Sequence, residues 1–185
     1  MGSITTKIGD KGNTKLWSGE DVRKTNLAIE FCGSIDELVS TLGVCYAILL
    51  EEDKCFCYSY ILYSIEKIQK LLFTVASEVA TKEPKRSTLE NKVDKNWVDD
   101  IETEIYKIEK FYQQPKGWVL PGSSCLSANL DVARCVARRC ERDYVKVMDN
   151  CLVDNKEALV WLNRLSDLLY LLARLSENNN YRMVK

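Results

Sequence analysis

From about residue 25 to residue 176 the apolar residues of this chain recur at spacings of three and four. That rhythm allows little besides long amphipathic helices. The first segment runs roughly from Asn26 to Leu50, with Leu27, Phe31, Ile35, Leu38, Leu42 and Cys45 on one stripe. The second runs roughly from Tyr58 to Ala80 on Ile61, Ile65, Ile68, Leu72 and Val75, and the third from Val93 to Tyr112 on Trp97, Ile101, Ile105 and Ile108. A fourth starts with Ser123 or Ser124 as N-cap and continues to about Met148. The fifth opens at Asp154, with Glu157 three residues on as a capping box, and follows Leu159, Leu162, Leu165, Leu169 and Leu172 to about Ser176. A polar break from Lys82 to Asn91 with Pro84, then Pro115, Gly117 and Pro121-Gly122, supply the turns. Only 8 glycines and 3 prolines in 185 residues favour uninterrupted helices, and no segment reads as a convincing strand. The expected fold is therefore all-α, a single domain over 1–185. It comprises an N-terminal loop to residue 25, an antiparallel five-helix bundle over 26–176 and a tail over 177–185. Helices of ~20–25 residues would each be ~30–37 Å long.

Composition removes several functions. A net charge of −1 gives no global attraction to nucleic acid or an anionic membrane. No apolar run approaches the ~18–20 residues of a bilayer span. There is no signal-peptide pattern and no Arg-rich transit segment, so a cytoplasmic setting is expected, with a removed organellar targeting segment left open. The eight cysteines form no C-x-x-C and read as reduced thiols, mostly small core residues. The chain has no histidine. A Ser-His-Asp triad, a zinc-hydrolase His site and His ligation of haem or cobalt are thereby excluded, and no protein metal site is expected. Any reaction here needs little acid–base help, or draws it from Asp, Glu or Lys.

Two clusters carry chemistry. Thr6-Lys7-Ile8-Gly9-Asp10-Lys11-Gly12-Asn13-Thr14 combines glycines that let backbone N–H groups approach a ligand with lysines, hydroxyls and a carboxylate. It suits a polyphosphate but lacks the order of a Walker A loop, and a merely charged N-terminus has equal claim. On the fourth helix Arg134, Arg138 and Glu141 share a face flanked by Arg142, opposite Ala133, Val136, Ala137 and Cys140, and Arg139 makes four arginines in nine residues. Guanidinium groups suit phosphate, although intrahelical pairing with Asp131, Glu141 and Asp143 would explain the same pattern. Asn163, Asp167, Tyr170 and Arg174 form a polar stripe on the fifth helix, the solvent edge by default. Asp36 is an ordinary exposed carboxylate unless an arginine meets it. Trp118, beside Gly117, reads as a core plug more readily than as an exposed wedge.

In order, these pieces resemble the PduO-type ATP:cob(I)alamin adenosyltransferases, the corrinoid adenosyltransferase family, over nearly the whole chain. The matching stretches are the T-K-x-G-D-x-G-x-T opening, Lys24, Gly33-x-x-Asp36-Glu37-Leu38 and Gln69-x-x-Leu72-Phe73. They continue with Val119-Leu120-Pro121-Gly122, the run Val132-Ala133-Arg134-x-x-x-Arg138-Arg139-x-Glu141-Arg142, and Leu162-Asn163-Arg164-Leu165-Ser166-Asp167. The resemblance implies a five-helix bundle working as a homotrimer with ATP between subunits. It implies transfer of the 5′-deoxyadenosyl group of ATP to the cobalt of cob(I)alamin, giving adenosylcobalamin and triphosphate. By the same resemblance Thr6, Lys7, Gly9, Asp10, Gly12, Thr14 and Lys24 would hold ATP and Mg²⁺ from one subunit. Arg138, Arg139, Glu141, Arg142 and Asn163 would hold it from the neighbour. Asp36 and Arg134 match positions that pair across the interface and shape the site; with Lys7 and Arg138 they are the expected catalytic set.

The inventory suits that reaction. Co(I) is itself a strong nucleophile, so the protein must supply in-line positioning and charge stabilisation on the leaving triphosphate. Trp118 stands where the family usually has Phe, the aromatic that helps displace the lower corrin ligand before cobalt is reduced. Cys125 and Cys140 also depart from the small or polar residues expected there, and oxidation of Cys140 would be expected to disturb ATP binding. A flavoprotein-type reductase and an adenosylcobalamin-dependent enzyme are the implied partners. The alternative reading is a non-catalytic corrinoid chaperone or ATP-sensing module on the same fold.

Overall fold

A computed structural model of the chain describes residue 5 and residues 7–52, 56–112 and 114–184. Five helices dominate it: α1 (Leu27–Glu51), α2 (Phe56–Val79), α3 (Lys95–Phe111), α4 (Cys125–Asp149) and α5 (Lys156–Ser176). Each lies within a few residues of its predicted segment. The Asn26 side chain caps α1 by accepting from the Ala28 N–H, and Asp94 caps α3 through Asn96 and Trp97. Ser124 caps α4 as expected and forms a reciprocal capping box with Ser127. At α5 the cap is Asn155, which accepts from the Ala158 N–H, and not Asp154. Asn is as good a cap as Asp, so adjacent candidates cannot be ranked by residue type.

The helices alternate in direction along the chain. α1 lies antiparallel on α4, as Ser34 meets Asp143 and Cys140 while Glu37 meets Arg139. α4 lies antiparallel on α5, with Tyr144 donating to the Asn155 carbonyl and Arg174 meeting Asp131. α2 packs on α1, and α3 lies along α5 in the parallel sense through Trp97–Trp161, Glu102–Arg164 and Tyr112–Arg174. The predicted stripes make one core, with Phe31, Leu38, Leu42, Ile61, Ile65, Leu72, Leu162, Leu165 and Leu169 wholly buried. By length and composition α1 also passes as a membrane-crossing helix, contrary to the sequence reading. Its Phe31–Leu49 stripe is nonetheless packed into the core, while the rest of its apolar surface stays uncovered in the single chain.

Strands are present, again contrary to expectation. β1 (Asn13–Lys15) pairs antiparallel with β2 (Asp21–Arg23), and β3 (Val119–Leu120) with β4 (Arg182–Met183). Two- or three-residue strands are too short to show alternation. The tail is thus tied back: Val184 donates to the Trp118 carbonyl at 3.0 Å and Arg182 Nη1 to the Pro121 carbonyl at 3.0 Å. The polar break after α2 is also built. It contains a 3-10 turn, Lys85–Thr88, and Arg86 donates to the carbonyls of Glu78, Thr81 and Leu152, closing the ends of α2 and α4 together.

The cysteines are less internal than expected. Cys45 and Cys140 are buried, Cys32 and Cys57 intermediate, and Cys125, Cys135 and Cys151 exposed. Burial pushes the Cys140 thiol up to about 12, so it holds almost no thiolate near neutrality and resists oxidation. Burial of the thiol thus weighs against the expected oxidation-sensitive role of Cys140.

Arg174, 1 % exposed, lies in a polar cluster inside the core. Its Nη2 donates to Asp131 Oδ2 at 2.7 Å, and its Nε lies 2.8 Å from Glu177 Oε2. Removing it strands two buried carboxylates, which costs about 3–5 kcal/mol. Arg174→Ala should therefore lower the thermal midpoint by roughly 6–20 °C, read by calorimetry; a shift of only a degree or two would place the cluster in water.

Candidate active site

The N-terminal loop is compact. Lys7 sits in the left-handed region at φ 59, a 3-10 turn spans Ile8–Lys11, and Gly12 follows at φ 78. A methyl at Gly9 would lie 3.0 Å from Lys24 Nζ, so this glycine makes room for an ammonium folded over the turn. The Lys24 N–H donates to the Gly12 carbonyl at 2.9 Å, and Arg23 Nη1 to Asn13 Oδ1 at 3.1 Å. Lys7, Lys24, Lys11 and Arg23 therefore cluster around a tight turn near exposed Asp10 and partly buried Thr14. Thr6 lies outside the described residues. The hairpin is fastened to the break after α2, where the Lys82 N–H donates to Ser18 Oγ and Lys85 Nζ to the Ser18 carbonyl.

On α4 the predicted apolar side, Ala133, Val136, Ala137 and Cys140, is buried, which turns the arginines outward. Arg139 pairs with Glu37 of α1. Glu141 accepts from Asn163 Nδ2 at 2.8 Å, and Asn163 Oδ1 accepts from Arg164 Nη1 at 2.8 Å. The predicted partners Glu141 and Asn163 are therefore neighbours across α4 and α5. Asp143 is occupied elsewhere: burial alone would raise its carboxyl, but hydrogen bonds from Lys146 and Ser34 outweigh that and hold it below the usual range. Arg138, Arg142 and Asp36 are exposed and form no ion pair among the described residues. Arg134 donates from Nε to Asp131 Oδ1 at 3.1 Å.

Arg134 and Arg138 line an open cavity of about 490 Å³ between α3, α4 and α5, together with Arg164, Asp167 and Tyr170. Glu102 and Glu109 line it too and Arg164 is paired with Glu102, so the guanidinium groups it offers an anion are Arg138 and the outer nitrogens of Arg134. Along α4, Arg134 to Arg142 rises by ~12 Å. Among the described residues no hydrogen bond or ion pair links loop residues 7–24 to this arginine ridge. Trp118 stands beyond the α4 N-terminus and is 84 % exposed, which corrects the core-plug reading. The polar stripe of α5 is no simple solvent edge either: Asp167 is exposed, Asn163 and Tyr170 are half-buried, and Arg174 is buried.

Sequence reasoning missed the cluster of Asp131, Arg174 and Glu177 behind Arg134. The available signal was a charge at Arg174 close to the leucine stripe of α5, five residues after Leu169 and two after Leu172.

The cobalamin adenosyltransferase family profile matches residues 4–176. A corrinoid adenosyltransferase of Citrobacter freundii is 33% identical over 177 residues, covering 96% of both chains. The human corrinoid adenosyltransferase is 31% identical, covering 92% of this chain and 67% of its own length. The Salmonella typhimurium corrinoid adenosyltransferase PduO is 29% identical over 97% of this chain, which spans 51% of that longer protein. Among solved structures, a variant PduO-type ATP:corrinoid adenosyltransferase from Lactobacillus reuteri, complexed with cobalamin and ATP, superposes with a TM-score of 0.85. Its sequence is 27% identical, and 99% of each chain is covered. On its sequence and on its fold, this chain belongs to the cobalamin adenosyltransferase family.

Proposed function

We propose that this protein transfers the 5′-deoxyadenosyl group of ATP to the cobalt of a cob(I)alamin substrate, releasing triphosphate. The observation that carries the reading is the α4 ridge of Arg134, Arg138, Arg139 and Arg142, of which Arg134 and Arg138 line an open cavity, on a histidine-free member of the family. The cobalt electron pair forms the new bond to C5′. The C5′–O bond breaks and its electron pair leaves on the triphosphate. No proton moves, so no protein base is required. The protein's tasks are to align C5′ with cobalt and to stabilise charge growing on the leaving group. Arg138, with Arg139 and Arg142, would hold the phosphates along α4. Glu141 and Asn163, bonded to each other, would fix the edge of the site nearest α5. Mg²⁺ would travel on the triphosphate, neutralising its charge and keeping most of its waters. Asp10 and Thr14 are the oxygen donors the loop offers it. The corrin side belongs to exposed Trp118, which would act as the wedge that displaces the lower axial ligand.

The site is read as shared between subunits of a homotrimer. Lys7, Gly9, Asp10, Gly12, Thr14 and Lys24, with Thr6, would supply one half, and the α4 arginines of a neighbour the other. Two observations support this. Among the described residues, 7–24 make no hydrogen bond or ion pair to the ridge within one chain, and α1 and α4 share an uncharged exposed face of Val44, Ala47, Val132 and Cys135. A flavoprotein-type reductase to supply electrons and an adenosylcobalamin-dependent enzyme to accept the product are the proposed partners.

The direct test is turnover: ATP and chemically reduced cobalamin should give triphosphate and a light-sensitive Co–C bond, whereas binding without product would favour a chaperone or sensor. Arg138→Ala should cut kcat/KM by roughly 30-fold or more, since a phosphate charge loses its partner; a near-normal value rejects the site. Lys7→Ala and Arg138→Ala subunits, each nearly inactive alone, should regain about a quarter of wild-type activity when unfolded and reassembled together, because random trimers hold some intact interfaces. No recovery would confine the site to one chain. Trp118→Ala should abolish the four-coordinate Co(II) signal in spectra of the protein with ATP and cob(II)alamin; an unchanged signal removes the wedge role.

A further inference from the structure

Asp131 is an aspartate in the core: it is 4 % exposed, on a helix turn otherwise filled by Leu130 and Ala133. Its two oxygens serve different partners. Oδ1 accepts from Nε of Arg134 at 3.1 Å, and Oδ2 accepts from Nη2 of Arg174 at 2.7 Å. Arg174 is also held by Glu177, by its carbonyl to the Tyr112 hydroxyl at 2.9 Å, and by the Tyr170 ring 5.1 Å from its guanidinium carbon. Asp131 therefore has little freedom to turn. With Arg134 counted, the cluster holds two carboxylates and two guanidinium groups and is neutral. Arg134 is its only member that reaches solvent, with 28% of its side chain exposed.

The consequence lies in which nitrogen of Arg134 is used. Asp131 takes Nε, and among the described residues both terminal amines are left without a hydrogen-bond partner, in a side chain that lines the cavity also lined by Arg138. A guanidinium tethered at Nε presents its outer nitrogens as a fixed fork, the form suited to a phosphate or carboxylate. We propose that Asp131 is a positioning residue for the transfer reaction, orienting Arg134 towards an anion in the site while Arg174 holds Asp131 from behind. The proposal rests on the adenosyltransferase reading of the Arg134–Arg138 cavity. The anion is either an ATP phosphate or the Asp36 carboxylate of a neighbouring subunit, and the test separates them.

The test is a double-mutant cycle on the full-length protein, using ATP and chemically reduced cob(I)alamin. Asp131→Asn and Arg134→Ala should each lower kcat/KM about tenfold or more. The double variant should fall no further than Arg134→Ala alone, within about twofold, because Asp131 acts through Arg134. A raised KM for ATP places phosphate at the fork; an unchanged KM with lower kcat and a weakened assembly in sedimentation places Asp36 there. Multiplicative losses, or wild-type kcat/KM in Asp131→Asn, overturn the positioning role while leaving the site reading intact. Wild-type activity in Arg134→Ala overturns both. If Asp131→Asn does not fold, ¹⁵Nε spectra of the wild type decide. The Arg134 Nε–H should exchange with solvent at least tenfold more slowly than that of exposed Arg138, and equal rates overturn the proposal.

Discussion

The structure turns on a charge that has no business in a core. Arg174 lies among leucines and is 1 % exposed, and taking a guanidinium out of water costs several kcal/mol unless its nitrogens are met. Nη2 donates to Asp131 of α4 and to Glu177 just past the end of α5, and Nε lies within ion-pair distance of Glu177, while Tyr112, just past α3, donates to the Arg174 carbonyl. A leucine pair tolerates a slip of one turn because any apolar neighbour will serve. A buried guanidinium does not, since Glu177 travels with it on the same segment and only one register brings the Asp131 carboxylate to it. The cluster therefore sets how α3, α4 and α5 slide against one another, and with them the rise at which Arg134 and Arg138 stand.

From the same cluster the chain continues into the functional extremity. Glu177 begins the tail, the tail pairs with Val119–Leu120, and Trp118 precedes that pair with its carbonyl bonded to Val184. On its other flank Asp131 reaches Arg134. One buried set of charges thus borders both ends of the proposed transfer: the arginines that would take the leaving triphosphate and the aromatic that would meet the corrin. In-line displacement needs both held in one frame, since an error of about 1 Å at the reacting atoms costs orders of magnitude in rate.

The parts legible in the sequence are those specified by neighbours within one turn. The five helices follow from spacings of three and four, the Ser124 cap from a hydroxyl before an apolar run, and the outward turn of Arg138 and Arg142 from the small residues opposite. The parts not legible depend on distant partners. Arg174 looked like a wet edge because Asp131 is 43 residues away. Trp118 looked like a plug because nothing in its neighbours says that the tail returns to hold its backbone and leave its ring in water. Of the candidate site, the resemblance supplies a list of residues, and the meeting of its two halves is written in no local pattern. No local pattern tells whether a lysine loop at one end of a bundle meets arginines midway along it.

The absence of histidine and the shape of the site answer each other. A reaction that moved a proton would need a group titrating near neutrality, and buried thiols such as Cys140, pushed up to about 12, offer none. What the chain offers instead is permanent positive charge at fixed spacing on a helix whose opposite face is locked into the core. Arginine keeps its charge across the ordinary pH range, so the contribution it would make to a leaving triphosphate would not vary with proton concentration. The substrate brings the nucleophile. A protein that performs this transfer has no need of acid–base groups, only of a frame stiff enough to keep its charges still, and the buried arginine between two carboxylates is what stiffens it.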